Sequence, residues 1–209
     1  MMFADRKEAG RRLARKIEAY RGTNALVLAL PRGGVVVGFE VARALGLPLD
    51  ILAPRKIGHP FHPEYAIGAV DEHGTKILNE AEAAAVDQAW LLGETERQKA
   101  EAERRIRAYR GERKAAEIGG KTVIIVDDGI ATGLTMRLAV RSVKARKPER
   151  IVVAVPVAPP ESPRALTDEG ADEVVVLEPP GEFMGAVGAH YARFEQVEDA
   201  EVVRLLHSS

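Results

Sequence analysis

Residues 123–136 read V-I-I-V-D-D-G-I-A-T-G-L-T-M, and their chemistry centres on two adjacent carboxylates, Asp127 and Asp128. Two such groups side by side repel each other unless a cation or hydrogen-bond donors sit between them. The four apolar residues ahead of them predict a short buried strand, which puts both acids at its carboxyl end, where open α/β sheets bind ligands. The small residues after them predict a loop that opens a helix, with free backbone N–H groups aimed at an anion, phosphate above all. Thr132 and Thr135 add hydroxyl donors, while Gly129 and Gly133 let the backbone approach a ligand closely. A phosphate cradle beside paired carboxylates suits a sugar phosphate, whose hydroxyls, or a metal bound to them, meet the acids. No lysine follows the loop and no G-x-G-x-x-G is present, so neither a Walker-type P-loop nor a dinucleotide fingerprint fits. A receiver-type acidic pocket lacks the threonine-glycine loop directly after its acids.

Two further segments are rich in anion-binding residue types. Leu30-Pro31-Arg32-Gly33-Gly34 is a glycine turn with an arginine able to fork onto phosphate oxygens. Arg55-Lys56 is a basic pair at the end of a second expected strand, followed by a loop that carries His59, His62 and Glu64. Either histidine is a candidate to donate to a developing charge, or an idle surface side chain. In the tail, Phe183, Met184, Tyr191 and Phe194 either pack onto the core or form a small hood over the sheet edge.

The elements that must position these groups follow from periodicity. Asp5 and Glu8 have capping-box spacing ahead of a helix over 5–20, stopped by Gly22. A strand over 25–30, a helix over 35–45 closed by Gly46, and a strand over 49–53 make a unit that argues a parallel sheet. Residues 55–63, with two prolines, a glycine and two histidines, read as a loop. A hairpin over 65–78 follows, then a helix capped by Asn79 and a charged helical run over 94–117, whose alternating acids and bases suggest a solvated face. Strands over 121–126, 151–157 and 173–177 alternate with helices over 133–145 and from Ser162. The composition shifts beyond Pro179 and Pro180. The expected division is therefore an α/β core over 1–178, with a helical insertion at about 80–118, and a C-terminal segment over 179–209.

Composition narrows the partners. The 209 residues are 46% apolar and 29% charged, with a net charge of −1, so no broad electrostatic case exists for nucleic acid or an anionic membrane. There is no basic patch or helix-turn-helix. Cysteine is absent, which removes disulfides, thiolate catalysis and thiolate-bound metals and fits a cytoplasmic setting. The charged first 21 residues lack the apolar core of a signal peptide, and no apolar run approaches the roughly 20 residues that span a bilayer.

The segment V-I-I-V-D-D-G-I-A-T-G-L-T resembles the signature of the type I phosphoribosyltransferases, which bind 5-phosphoribosyl-1-pyrophosphate. The resemblance implies a central, mostly parallel sheet flanked by helices, with a small C-terminal hood. It implies that Asp127 and Asp128 hold the ribose 2- and 3-hydroxyls, directly or through Mg²⁺. It likewise implies that Ala131, Thr132, Gly133, Leu134 and Thr135 wrap the 5-phosphate. The turn of Pro31, Arg32, Gly33 and Gly34 resembles the family's pyrophosphate loop, which often holds a non-proline cis peptide, here between Pro31 and Arg32. Arg55 and Lys56 match the basic pair that meets pyrophosphate, and the following loop, less rich in lysine than is usual, would close over the site. Asp127, Asp128, Arg32 and Lys56 are the expected catalytic set. Phe183 and Tyr191 would face a planar nitrogen acceptor in the hood, although the hood matches no particular purine or pyrimidine enzyme. The implied reaction is transfer of the phosphoribosyl group to that acceptor with release of pyrophosphate, and the length and periodicity of the charged helix make it a candidate contact in a homodimer. The rival readings are a non-catalytic sensor of the same metabolite and a phosphatase or phosphosugar enzyme built on a similar sheet.

Overall fold

The computed structural model describes residues 2–178 and 180–208, and the junction expected at Pro179 lies outside the described residues. In chain order the elements are α1 (Arg6–Lys16), β1 (Ala25–Ala29), α2 (Gly33–Leu45), β2 (Leu49–Ile51), β3 (Arg55–His59), β4 (His62–Val70), β5 (Lys76–Leu78), α3 (Glu80–Ala85), α4 (Gln88–Arg110), β6 (Thr122–Val126), α5 (Leu134–Ala145), β7 (Arg150–Val155), α6 (Ser162–Glu169), β8 (Glu173–Val176) and α7 (Asp199–His207). Five of the strands form a parallel sheet in the order β2-β1-β6-β7-β8. Its central strands are buried on both faces, as the β-branched runs require. Alternate residues serve opposite layers. Val27, Ala29, Ile124 and Val126 pack with α1, α2 and α7, while Leu26, Leu28, Val123 and Ile125 pack with α5 and α6.

This strand order fixes where a ligand can bind. From β1 the chain moves outward to β2, whereas β6 pairs with the other side of β1. The order therefore reverses between β1 and β6, and such a switch point opens a crevice beyond the strands' carboxyl ends. The turn after β1 is the glycine turn at 31–34, and the turn after β6 carries Asp127 and Asp128. Both anion-friendly segments thus flank one crevice.

Two local expectations need correction. Residues 55–63 are no loop, because β3 and β4 pair as an antiparallel hairpin that joins β5 in a second, three-stranded sheet. Pro60 and Pro63 concealed it. Pro60 lies in the turn, and Pro63 lies where the ladder skips from His59–His62 to Gly58–Ala66, so no backbone N–H is needed from either. His59, His62 and Glu64 therefore sit on or beside strands. The charged helix also has other ends. Asp87 caps α4 by accepting from the Trp90 N–H at 2.7 Å, and Gly111 ends it. Nor is it wholly solvated, since Leu91, Thr95, Gln98, Ala102, Ile106 and Tyr109 form a buried stripe at helical spacing. No helix among the described residues is long and apolar enough to cross a membrane.

Candidate active site

The acid pair is held from three directions. Asp128 donates its backbone N–H to Asp127 Oδ1 at 2.8 Å. The Arg6 Nε–H donates to Asp128 Oδ2 at 2.7 Å, an ion pair in which both side chains are largely shielded from solvent. The Tyr191 hydroxyl donates to the Asp128 carbonyl at 2.5 Å. Arg6 is itself fixed, since it also donates to the Glu195 carbonyl at 2.7 Å and lies 3.9 Å from the Phe194 ring centroid. Burial and, after it, the Asp128 charge push the Asp127 carboxyl well above the usual carboxylate range. The carboxylate pair is therefore asymmetric. Asp128 is matched to a cation inside the protein, whereas Asp127 has none at ion-pair distance among the described residues.

The glycine turn after β1 lies directly against these acids. A Cβ on Gly33 would stand 1.9 Å from Asp128 Oδ2, and one on Gly34 would stand 2.7 Å from Asp127 Oδ1. Only glycine permits that approach. The peptide between Pro31 and Arg32 is cis, as the resemblance implied. Arg32 departs from expectation: its guanidinium faces the first turn of α7, 3.5 Å from Asp199 Oδ1. Asp199 Oδ1 also accepts from the buried Tyr109 hydroxyl at 2.7 Å.

Past the acids, Gly133 turns the chain with φ +76° and caps α5 with no side-chain hydrogen bond, which leaves the first helical N–H groups facing outward. A cavity of about 100 Å³ lies there, lined by Asp127, Gly129, Ala131, Thr132, Gly133 and Thr135, with Lys56 also on its wall. Lys56 further lines two neighbouring cavities. One, of about 530 Å³, lies between the β3–β4 hairpin and α4 and includes Pro31, Arg55, His59, Glu64 and Thr135. The other, of about 370 Å³, includes Glu64, Tyr65, Thr132 and Leu134. Most of the residues singled out from the sequence thus converge on connected ground. His62 stacks on His59 with ring centroids 5.7 Å apart, near the hairpin tip, where Phe61 is 83% exposed.

The two hood aromatics have other employment. Tyr191 is buried between Phe3 and Phe194, with ring centroids 5.4 and 5.1 Å away, and Phe183 stacks on His190 at 5.5 Å. Neither ring lines these cavities. Their packing has a local cause, because Phe3 and the tail are zipped together by Phe3 N–H to the His190 carbonyl at 2.8 Å and Ala192 N–H to the Phe3 carbonyl at 2.7 Å. Residues that the sequence did not mark include Arg6 and, on α4, Gln98, which accepts from the Arg55 Nε–H at 3.2 Å. Arg6 and Asp128 are 122 positions apart, and no local pattern announces such a pair.

Comparison with known proteins agrees with this geometry. The family model for the phosphoribosyl transferase domain matches residues 4–178. Two Mycobacterium tuberculosis proteins, from strains CDC 1551 and H37Rv, are 42% identical over 207 residues, and each is named provisionally as a phosphoribosyl transferase. The match covers 98% of this chain but 46% of theirs, so the chain spans about half the length of the curated relatives it matches. The crystal structure of TT1426 from Thermus thermophilus is 44% identical with a TM-score of 0.83, covering 100% of this chain and 99% of that one. The chain belongs to the phosphoribosyl transferase family.

Proposed function

We propose that the chain transfers the 5-phosphoribosyl group of 5-phosphoribosyl-1-pyrophosphate to a nitrogen of a small acceptor and releases pyrophosphate. The observation that carries this reading is the convergence at the switch point. The glycine turn lies within contact distance of the acid pair, and Asp127 lines the cavity at the open N-terminus of α5, so a ligand with a phosphate, a diol and a second anion matches all three.

In this reading the backbone N–H groups at 131–135 hold the 5-phosphate, with the Thr132 and Thr135 hydroxyls assisting. Asp127 and the free oxygen of Asp128 accept from the ribose hydroxyls. Arg55, Lys56 and the amides of Gly33 and Gly34 take charge from the diphosphate as its bond to C1 breaks and the acceptor nitrogen bonds to C1, the acceptor's proton passing to solvent. The sugar is cationic at the transition state, so the protein contributes positioning and fixed charge rather than a covalent partner. The β3–β4 hairpin stands where closure would exclude water from that cation.

The residues present suit Mg²⁺ of one kind. Among the described residues no group of three or more His, Cys, Asp or Glu side chains could hold a metal, so a resident ion with its own cage does not fit. Asp127 and Asp128 offer hard oxygen atoms for an ion that arrives with the substrate and keeps phosphate and water ligands. Bound in that way, Mg²⁺ would offset charge on the donor's oxygens.

The test is release of pyrophosphate from the donor in the presence of Mg²⁺ and a panel of nucleobases and other nitrogen acceptors. Acceptor-dependent release is the expected result. Tight donor binding with no release across the panel would instead make the chain a sensor of the metabolite.

A further inference from the structure

The cavity between the hairpin and α4, at about 530 Å³, is about five times the size of the one at the α5 N-terminus, about 100 Å³. Its wall carries four cations, Arg55, Lys56, Arg97 and Arg105, against two acids, Glu64 and Glu94. Arg97 is paired with Glu94 at 2.7 Å and Arg105 with Glu101 at 2.9 Å. Arg55 and Lys56 have no carboxylate at ion-pair distance among the described residues, and Arg55, half-buried, has only the neutral Gln98 oxygen at 3.2 Å. Burial, and then repulsion from Arg105, disfavour its charge, and attraction to Glu101, beyond ion-pair distance, offsets part of this. A half-buried guanidinium that faces a polar cavity with no carboxylate at ion-pair distance among the described residues is a place for an anion. The length of the row narrows that anion. Arg97 and Arg105 lie eight residues apart on one helix, roughly 12 Å along its axis, and Arg55 lies beside Gln98, near the Arg97 end of that interval. The wall therefore carries two cations, Arg97 and Arg105, beyond the glycine turn, Arg55 and Lys56 that a ribosyl diphosphate would engage.

We propose that α4 adds an anion subsite to the crevice, and that it takes a linear oligophosphate of three or more phosphoryl groups, free or carried on a nucleoside. Arg55 and Lys56 hold the inner phosphates and Arg105 the outer ones, while Gln98 orients the Arg55 fork. The proposal rests on the crevice being an anion site and is independent of whether the ribosyl donor is its substrate. Trp90, the chain's single tryptophan, lines the same cavity and reports its occupancy.

The experiment titrates the whole chain with orthophosphate, pyrophosphate, tripolyphosphate and ATP while Trp90 fluorescence is followed. Tripolyphosphate should bind at least about tenfold more tightly than pyrophosphate. Arg105→Gln should erase that preference yet leave pyrophosphate affinity unchanged. Arg104→Gln, which removes a neighbouring cation that also pairs with Glu101 but does not line the cavity, should preserve it. ATP binding more tightly than tripolyphosphate would identify the carried form of the ligand, and equal affinities the free chain. Equal affinity for pyrophosphate and tripolyphosphate, or a preference that survives Arg105→Gln, would overturn the proposal. Calorimetry with the ribosyl donor on the same samples separates the two readings. Donor binding without the preference defeats this inference alone, and the preference without donor binding defeats the transferase reading alone.

Discussion

Replacing Asp127 with asparagine should make the protein more stable and nearly useless. Burial and the neighbouring Asp128 hold the Asp127 carboxyl well above its ordinary pKa of 3.8, so the folded protein retains a proton there that the unfolded chain has lost. Stability then falls as pH rises from that ordinary value through the raised one, because the native state binds more protons across the window. Asparagine keeps an oxygen to accept the Asp128 N–H and removes the charge. The melting temperature of Asp127→Asn should exceed that of the parent above the window, by roughly 2–4 °C for each kcal/mol relieved in a domain of this size. The two curves should converge at acid pH. Donor affinity should fall by roughly 10- to 150-fold, the worth of a hydrogen bond to a charged group at about 1.5–3 kcal/mol, if the proton on Asp127 leaves as the donor and its cation bind. Melting curves across pH for both proteins, with donor titrations at neutral pH, check the pair of effects. A variant that is less stable at neutral pH, or binds donor as the parent does, would show that Asp127 is an ordinary surface acid.

Gly33→Ala carries the second large effect, with the opposite sign on stability. The added methyl carbon would stand 1.9 Å from Asp128 Oδ2, and Arg6 Nε lies 2.8 Å from the same point. Nothing there can yield cheaply, because Asp128 is held by Arg6 through its side chain and by Tyr191 through its carbonyl. Either the turn moves off the acids or the Arg6–Asp128 ion pair opens, and overpacking of this kind costs about 1–3 kcal/mol. We expect a lower melting temperature and donor binding weakened by at least about tenfold, since both segments proposed to bind anions lose their registration. Gly22→Ala is the comparison: Gly22 has open space around a Cβ and lies outside the crevice, so only its left-handed backbone is affected and donor affinity should hold.

These expectations show what a sequence can disclose. The acid pair and its loop were legible because strand, turn and helix follow one another within 14 residues, each with its own local signal. The glycine turn after β1 was legible for the same reason, and the alternation of helices and strands gave the parallel sheet. Residues 55–70 were half legible. Their alternation is broken by prolines that the bulged hairpin tolerates, so a strand pair reads as a loop. The charged run over 94–117 showed helical propensity but hid a buried stripe whose polar members, Thr95 and Gln98, look like surface residues. Contacts between distant segments were invisible. Arg32 was expected to point at phosphate, yet the nearest carboxylate to it belongs to α7. Tyr191 read either as core packing or as an acceptor platform, and the structure gives it the first place, with its ring on Phe3 and its hydroxyl bracing the acid loop. Such partners are chosen by the tertiary fold, and neither composition nor periodicity carries their address.

The division of labour at the acids is the part of the site that the structure adds. Arg6 satisfies Asp128 from within the protein, while Asp127 has no cation at ion-pair distance among the described residues. A ligand that brings one, as a magnesium-bound ribosyl diphosphate does, would complete the pair. Isothermal calorimetry of the chain with 5-phosphoribosyl-1-pyrophosphate, with and without Mg²⁺, and repeated on Asp127→Asn, tests this most directly. The account predicts saturable heat that strengthens with Mg²⁺ and is greatly weakened in the variant. Absence of heat from the parent protein under both conditions would contradict it.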